Sequence, residues 1–191
     1  MPFNLPIALT WLRVAAIPLL VAVFYLPTNW LSPFEQNLTA TVIFVFAAVT
    51  DWLDGFLARR MKQESAFGQF LDPVADKLIV AASLLVLLNM DRVQVWVALV
   101  IIGREIAISA LREWMALLGA SKSIAVHMVG KLKTTAQLIA IPFLLLNNTL
   151  FGWLDCARVG KWLIWIASFL THWSMFYYMK KAFPVLMDKV E

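Results

Sequence analysis

Four aspartates lie within a 26-residue stretch of a strongly apolar chain: Asp51, Asp54, Asp72 and Asp76. On membrane-insertion scales, an ionised carboxylate at the centre of a helix costs about 2.5–3.5 kcal/mol. Four of them so close together therefore need a compensating partner. Because grouped carboxylate oxygens suit hard divalent cations, this spacing predicts a site for magnesium, manganese or calcium.

The first two aspartates share a helix face with small residues. Asp51, Asp54, Gly55 and Ala58 are spaced so that an α-helix places them on one side. Small residues let a ligand or a neighbouring helix approach closely. This face is therefore predicted to meet a ligand.

The second pair of aspartates extends the same site from the next predicted helix. Asp72 and Asp76 are one turn apart at its expected start, and Gly68 precedes Asp72 by one turn. A short turn over Met61–Ser65 would pack the two helices side by side, so that the two pairs face each other. That geometry suits a two-metal site, which stabilises the entering and leaving oxygens of a phosphoryl transfer.

Arg59 and Ser65 lie at the rim of this site, where a guanidinium and a hydroxyl could bind phosphate oxygens. A competing interpretation pairs the aspartates with Arg59, Arg60 and Lys77 in buried salt bridges. Isolated ion pairs do not require four acids around small residues, and this favours the metal site.

The rest of the chain predicts a helical bundle that positions these groups. Of its 191 residues 62% are hydrophobic, whereas soluble domains are about 45–50% apolar. The sequence therefore predicts an all-α integral membrane protein with a single domain over residues 1–191. The apolar stretches predict six transmembrane helices, at Leu5–Leu26, Asn37–Arg60, Asp72–Asn89, Val93–Leu118, Lys133–Leu146 and Val159–Met179.

Basic residues orient this predicted bundle. One side holds nine lysines and arginines, and the other holds only Arg92, Arg158 and Lys161. By the positive-inside rule both termini are predicted to be cytoplasmic (N-in/C-in), with the active site in the bundle near the cytoplasmic face. Cys156 is the single cysteine, which excludes an intrachain disulfide.

A second polar cluster lies farther along the chain. Arg104 and Arg112 are two turns apart on the fourth predicted helix, and Lys131 and Lys133 open the fifth. An arginine fork binds phosphate oxygens bidentately, and lysine adds a point charge. The four side chains could therefore converge on a phosphate or another anion.

Thr134 and Thr135 would strengthen this anion site by adding hydroxyl and backbone donors at a helix N-terminus. The alternative is that the two lysines are loop charges obeying the positive-inside rule, and that Arg104 only neutralises Glu105. Next to a metal site, a pocket for a phosphorylated acceptor is the better interpretation.

The pattern D-x2-D-G-x2-A-R-x8-G-x3-D-x3-D is complete in this chain and resembles the signature of the CDP-alcohol phosphotransferase family. The resemblance implies a six-helix membrane enzyme, usually a homodimer. Such an enzyme moves a phosphatidyl or similar phosphoryl group from a CDP-linked donor to an alcohol and releases CMP. The implied ligands of two Mg²⁺ or Mn²⁺ ions are Asp51, Asp54, Asp72 and Asp76, with Asp76 also the general base. The implied donor contacts are Gly55, Ala58, Arg59, Ser65 and Gly68.

Three further segments narrow the resemblance within this family. NLPIALTWLR, GREIAISALREW and GKLKTTAQ are similar to members that use CDP-diacylglycerol as donor and glycerol 3-phosphate as acceptor. The similarity implies an enzyme of anionic phospholipid synthesis in a bacterial cytoplasmic membrane, with membrane lipids and not nucleic acid as partners. It also implies acceptor-phosphate ligands, namely Arg104, Arg112, Lys131 and Lys133. Thr10, Arg13 and His127 receive no definite role.

Other functions stay open on the sequence alone. Another member of the family would make phosphatidylinositol phosphate, phosphatidylserine or cardiolipin. An intramembrane prenyltransferase fits poorly, because it needs more spans and more widely separated acidic motifs. A cation transporter could also carry intramembrane acids, but it would not require glycines and Arg59 at these spacings.

Overall fold

The computed structural model describes the backbone of residues 5–61, 66–117 and 128–190, with side chains at 8–51, 53, 68, 70–117, 132–180 and 183. The described residues form six α-helices and one small β-hairpin. The elements are α1 (Leu5–Val23), α2 (Pro33–Met61), α3 (Ala66–Asn89), α4 (Val95–Leu117), α5 (Met128–Leu146), β1 (Thr149–Leu150), β2 (Leu154–Asp155) and α6 (Cys156–Val190). Over these residues the predicted helical class is confirmed.

The helix that carries the second pair of aspartates begins earlier than predicted. α3 starts at Ala66, so Asp72 and Asp76 lie inside the helix and not at its start. Pro73 is also inside α3, where it supplies no backbone N–H donor. Hydropathy missed this start because the first turns of α3 mix polar and apolar residues while remaining fully helical.

The fifth helix also begins earlier, at Met128 instead of Lys133. Thr134 and Thr135 therefore lie beyond its first turn, where backbone N–H groups are used within the helix. Their predicted contribution of N-terminal backbone donors is wrong. Lysine is a good helix former, so Lys131 and Lys133 do not stop the helix.

A capping box fixes the start of α2. The Ser32 backbone N–H donates to Glu35 Oε2 at 2.7 Å, and the Glu35 N–H donates to Ser32 Oγ at 3.4 Å. Hydrogen bonds from the Ser32 side chain and backbone lower the pKa of Glu35, because they favour the charged carboxylate. Pro33 occupies the first helical position, where its missing N–H costs nothing.

The helices pack around one apolar core. α1 packs on α2 and α3, α5 packs on α2 and α6, and α4 packs on α3 and α6. Gly160 of α6 allows the closest approach to α5, because a Cβ there would lie 2.7 Å from Leu144 Cγ. The core includes Leu20, Phe44, Leu84, Leu87, Ile101, Ile141 and Leu144.

Arg92, in the turn between α3 and α4, ties α5 to α2 at the end of the bundle opposite to the aspartates. Its Nη1 donates to the carbonyls of Leu144 (3.1 Å) and Leu145 (2.7 Å), in the last turn of α5. Its Nη2 donates to Asn37 Oδ1 at 2.9 Å, near the start of α2. Last-turn carbonyls have no donors within their helix, so a cation there both satisfies them and complements the helix dipole. Burial lowers the pKa of Arg92.

A small β-hairpin connects α5 and α6. β1 and β2 pair antiparallel, with Thr149 opposite Asp155 and Leu150 opposite Leu154. Phe151 and Gly152 reverse the chain with positive φ angles of 56° and 76°. The hairpin lies at the same end of the bundle as Arg92, because both border the end of α5.

Over the described residues, none of the helices contains a stretch that is both long enough and apolar enough to cross a membrane.

Candidate active site

Three helices bring the described carboxylates together. Asp51 comes from the C-terminal half of α2, and Asp72 and Asp76 come from α3. Arg13 of α1 places Nη1 at 3.1 Å from Asp51 Oδ1 and 2.7 Å from Asp76 Oδ1. Thr10 Oγ1, one turn earlier on α1, donates to Asp72 Oδ1 at 2.6 Å. One face of α1 therefore contacts all three carboxylates.

Arg13 is buried much more deeply than the two aspartates with which it is paired. The Arg13 side chain is only 1% exposed, whereas the side chains of Asp51 and Asp76 are 45% and 43% exposed. A buried guanidinium is costly unless it is paired, and the two carboxylates provide that pairing. The cation thus lies behind the carboxylates, which remain open to a ligand on their other side.

A cavity of 210 Å³ lies in front of the carboxylates. Asp51, Asp76 and Arg13 line it on one side, and Glu105 of α4 and Thr134 of α5 line it on another. Its apolar walls are Phe44, Ala47, Ala48, Pro73, Ile79, Val80 and Leu138. A small ligand in this cavity can therefore contact the acidic groups of α2 and α3 and the polar groups of α4 and α5 together.

Glu105 holds two of the predicted anion-binding side chains. Lys133 Nζ pairs with Glu105 Oε1, and Arg104 Nη1 lies 3.4 Å from the same oxygen. The sequence left open that Arg104 only neutralises Glu105. In the structure Glu105 pairs with Lys133 as well as with Arg104. One negative charge against two positive ones leaves a surplus that can attract an anion.

The Tyr178 ring of α6 contacts both Arg104 and Arg112. The Cζ atoms of Arg104 and Arg112 lie 5.6 and 5.8 Å from its ring centroid, close enough for cation–π attraction. Arg104 is buried and its Nη2 also donates to Ser174 Oγ at 3.3 Å, whereas Arg112 is exposed. The structure thus brings Arg104, Arg112 and Lys133 into one group, as expected from their spacing.

The remaining predicted site residues fall at the edge of what the structure describes. Gly68 is buried in the first turn of α3. Several others lie on described helices, but their side chains are outside the described part; these are Asp54, Gly55, Ala58 and Arg59 on α2 and Lys131 on α5. Ser65 and His127 lie outside the described residues altogether. The roles expected for all these residues stay predictions.

Sequence reasoning missed part of this site. Lys77 was considered only as a salt-bridge partner, yet it lines the cavity beside Asp76 and its Nζ donates to Ser109 Oγ at 2.5 Å. Thr10 and Arg13 had no definite role, although their i, i+3 spacing puts two polar groups on one face of an apolar helix. That isolated polar face was the available signal.

The described carboxylates fit a hard divalent cation by charge and donor type. Asp51 and Asp76 both direct an oxygen at one positive group, so their arrangement already selects a cation. Carboxylate oxygens are also the ligands that magnesium and manganese prefer. Among the described side chains, however, no group of three or more acids, histidines or cysteines is arranged to hold a metal ion. Asp54, the fourth predicted ligand, has its side chain outside the described part.

The chain is similar to known proteins over nearly its whole length. Residues 3–173 match the family model described as CDP-alcohol phosphatidyltransferase. The chain is 50% identical over 192 aligned residues to the CDP-diacylglycerol–glycerol-3-phosphate 3-phosphatidyltransferase of Escherichia coli (strain K12), covering 99% of this chain and 100% of the relative. Relatives of the same name in Shigella sonnei (strain Ss046) and Shigella flexneri serotype 5b (strain 8401) show the same identity and coverage.

Proposed function

The chain belongs to the CDP-alcohol phosphatidyltransferase family, and we propose that it transfers the phosphatidyl group of CDP-diacylglycerol to glycerol 3-phosphate. The products are phosphatidylglycerol phosphate and CMP. The observation that carries this proposal is the cavity lined both by Asp51 and Asp76 and by Glu105, the carboxylate that holds Arg104 and Lys133. The names of the full-length relatives support the choice of donor and acceptor.

The acceptor binds through its phosphate to the basic group of α4 and α5. Arg104 is fixed by Glu105, Ser174 and Tyr178, so its guanidinium is held in place before the ligand arrives. Arg112 is exposed beside the Tyr178 ring and can reach the phosphate from there, and Lys133 adds charge from α5. Lys131 is the fourth proposed phosphate ligand. Preorganised donors of this kind favour a phosphorylated alcohol over a neutral one.

The cofactors of the proposed reaction are two Mg²⁺ or Mn²⁺ ions, held by Asp51, Asp54, Asp72 and Asp76. When bound, such ions neutralise the diphosphate of the donor and the charge that develops on the departing CMP. Thr10 orients Asp72, and Arg13 orients Asp51 and Asp76, through the contacts described above. The proposed donor contacts are Gly55, Ala58, Arg59, Ser65 and Gly68.

Asp76 is the proposed general base. The 1-hydroxyl oxygen of glycerol 3-phosphate forms a bond to the lipid-side phosphorus, and the bond from that phosphorus to the oxygen of CMP breaks. The hydroxyl proton passes to Asp76, which lines the cavity and accepts a hydrogen bond from Arg13 at Oδ1. Positioning and charge stabilisation supply most of the remaining rate enhancement.

We also propose that the protein works as a homodimer in a bacterial cytoplasmic membrane, with both termini in the cytoplasm. Large apolar side chains are exposed along the outer faces of α4 and α6, among them Leu99, Ile106, Trp162, Phe169 and Phe176. Soluble monomers rarely expose contiguous apolar patches of this kind. The six proposed spans would turn these faces toward lipid and the basic residues of the α2 and α6 C-terminal ends toward the cytoplasm.

The purified full-length chain tests this function directly. CDP-diacylglycerol is supplied with glycerol 3-phosphate, inositol phosphate, serine or phosphatidylglycerol, each with Mg²⁺, Mn²⁺ or EDTA, and CMP release is measured. We expect release only with glycerol 3-phosphate and a divalent ion. Release with another acceptor would identify a different reaction of the same family. No release with any acceptor would leave ion transport as the function to examine.

A further inference from the structure

Arg13 supplies a positive charge to the carboxylate centre, by which we mean Asp51, Asp72 and Asp76. Its Nη1 contacts Oδ1 of Asp51 and Oδ1 of Asp76, on two different helices. Lys77 lines the same cavity, and its ammonium donates to Ser109 Oγ at 2.5 Å. A single guanidinium therefore bridges the α2 and α3 carboxylates from behind.

A guanidinium in this position has two opposite effects on a metal ion. It holds like-charged carboxylates close together, since each is attracted to the same cation. It also repels a divalent cation that approaches the same oxygens, and burial makes that repulsion stronger than it would be in water. Because Arg13 is 1% exposed, solvent screens its charge only weakly.

We propose that Arg13 is a resident counter-cation of the carboxylate centre. Its guanidinium holds Asp51 and Asp76 at the spacing seen in the structure. Once a metal is present, its fixed charge keeps the metal affinity low. Arg13 is thus a positioning residue that sets how tightly the centre binds divalent ions. This inference rests on the proposed metal dependence of the enzyme.

Thr10 provides a contrasting contact from the same helix. It donates a neutral hydrogen bond to Asp72 at 2.6 Å and brings no charge. Loss of the Thr10 hydroxyl should therefore disturb the orientation of one carboxylate without relieving any repulsion. Comparing changes at the two positions separates the effect of charge from the effect of orientation.

The test measures Mn²⁺ binding by electron paramagnetic resonance on EDTA-stripped, full-length protein in detergent, without substrate. An opposite charge within a few ångströms shifts the proton affinity of a carboxylate by about 1–3 pKa units, and a divalent ion should respond at least as strongly. Arg13→Gln should therefore bind Mn²⁺ about tenfold or more tightly than the wild type. The metal-free Arg13→Gln protein should also melt at a lower temperature, and Mn²⁺ should raise its Tm by more than it raises that of the wild type.

Arg13→Lys keeps the positive charge on a side chain that is expected to reach one carboxylate instead of two. Its Mn²⁺ affinity should therefore lie between those of the wild type and Arg13→Gln. If Arg13→Gln does not fold, the Arg13→Lys variant alone tests whether Arg13 lowers the affinity for Mn²⁺. Thr10→Val should bind Mn²⁺ no more tightly than the wild type. Arg92→Lys is the matched control, because it weakens a buried arginine at the opposite end of the bundle and should lower Tm without changing Mn²⁺ affinity.

Unchanged or weaker Mn²⁺ binding in both Arg13 variants would overturn the inference and leave Arg13 as a structural contact only. If the wild type and all variants fail to bind Mn²⁺, the proposed metal dependence is itself wrong. Tight binding in the wild type, equal to that of Arg13→Gln, would contradict the inference while leaving the proposed metal dependence intact.

Discussion

Asp76 meets two requirements that usually conflict at a single carboxylate. It must stay ionised to accept a proton, and it must stay in one orientation to accept it from the right direction. The contact from Arg13 to Oδ1 supplies a counter-charge and fixes the side chain, while the half-exposed Asp76 lines the cavity. Asp51 shares the same guanidinium but no role as a base is proposed for it.

Asp76→Asn should abolish most CMP release while leaving the protein folded. The amide keeps an oxygen that can accept from Arg13, but it cannot take up a proton, and general bases contribute about 10²–10⁴-fold to rates. CMP release and Tm are measured together. Asp155→Asn is the matched control, because Asp155 is a half-exposed cap at the start of α6 and asparagine caps equally well. Normal turnover in Asp76→Asn would remove the base assignment.

Arg112→Ala should raise the KM for glycerol 3-phosphate and leave the KM for CDP-diacylglycerol unchanged. A hydrogen bond to a charged group is worth about 1.5–3 kcal/mol, so the expected rise is about tenfold or more. Arg112 is a cleaner test than Arg104, which is buried against Ser174 and Tyr178 and whose loss would disturb the fold. Arg158→Ala, an exposed arginine at the other end of the bundle, is the control. An unchanged KM in Arg112→Ala would exclude this residue from the acceptor site.

At the scale of single helices, the sequence predicted the number of helices better than the residues at which they begin. Six transmembrane helices were expected. Six helices are described, although none has a stretch within the described residues that could span a membrane. α3 and α5 also start several residues before their apolar stretches do. Hydropathy reports where a helix is apolar, whereas the helix itself continues through polar residues that its neighbours accommodate. The aspartate spacing predicted that α2 and α3 would share a site. It could not predict that α1 inserts Arg13 between them, because no local pattern specifies a contact between residues so distant in the chain.

The contact between α5 and α6 depends on a missing side chain at Gly160. A Cβ there would lie 2.7 Å from Leu144 Cγ and 3.1 Å from the Leu144 backbone nitrogen. Gly160→Ala should therefore destabilise the protein, because overpacking costs about 1–3 kcal/mol and outweighs a gain of up to about 1 kcal/mol in helix propensity. Gly103→Ala is the matched control: nothing lies within 4 Å of its Cβ, so it should be neutral or stabilising. Equal Tm values for the two variants would contradict the close approach of the helices.

At the scale of the whole molecule, polarity is unequally distributed. The charged groups with the most specific contacts point inward, at Arg13, Arg104 and Lys133, while many large apolar side chains point outward. The proposed membrane location would account for this arrangement, because exposed tryptophan and phenylalanine side chains are favourable in contact with lipid. The cavity would then bring a lipid donor and a water-soluble acceptor to the same carboxylates.

The proposed orientation predicts which end of α6 faces the cytoplasm. Cys156 is fully buried, so a Cys156→Ala background gives a clean starting point for single-cysteine labelling. Arg158, which is 78% exposed, lies at the start of α6, and the exposed Lys180 lies more than five turns later. With a membrane-impermeant maleimide on intact bacterial cells, Arg158→Cys should be labelled at once and Lys180→Cys only after the membrane is opened. The opposite pattern would reverse the orientation, and with it the side from which glycerol 3-phosphate reaches the basic group around Tyr178.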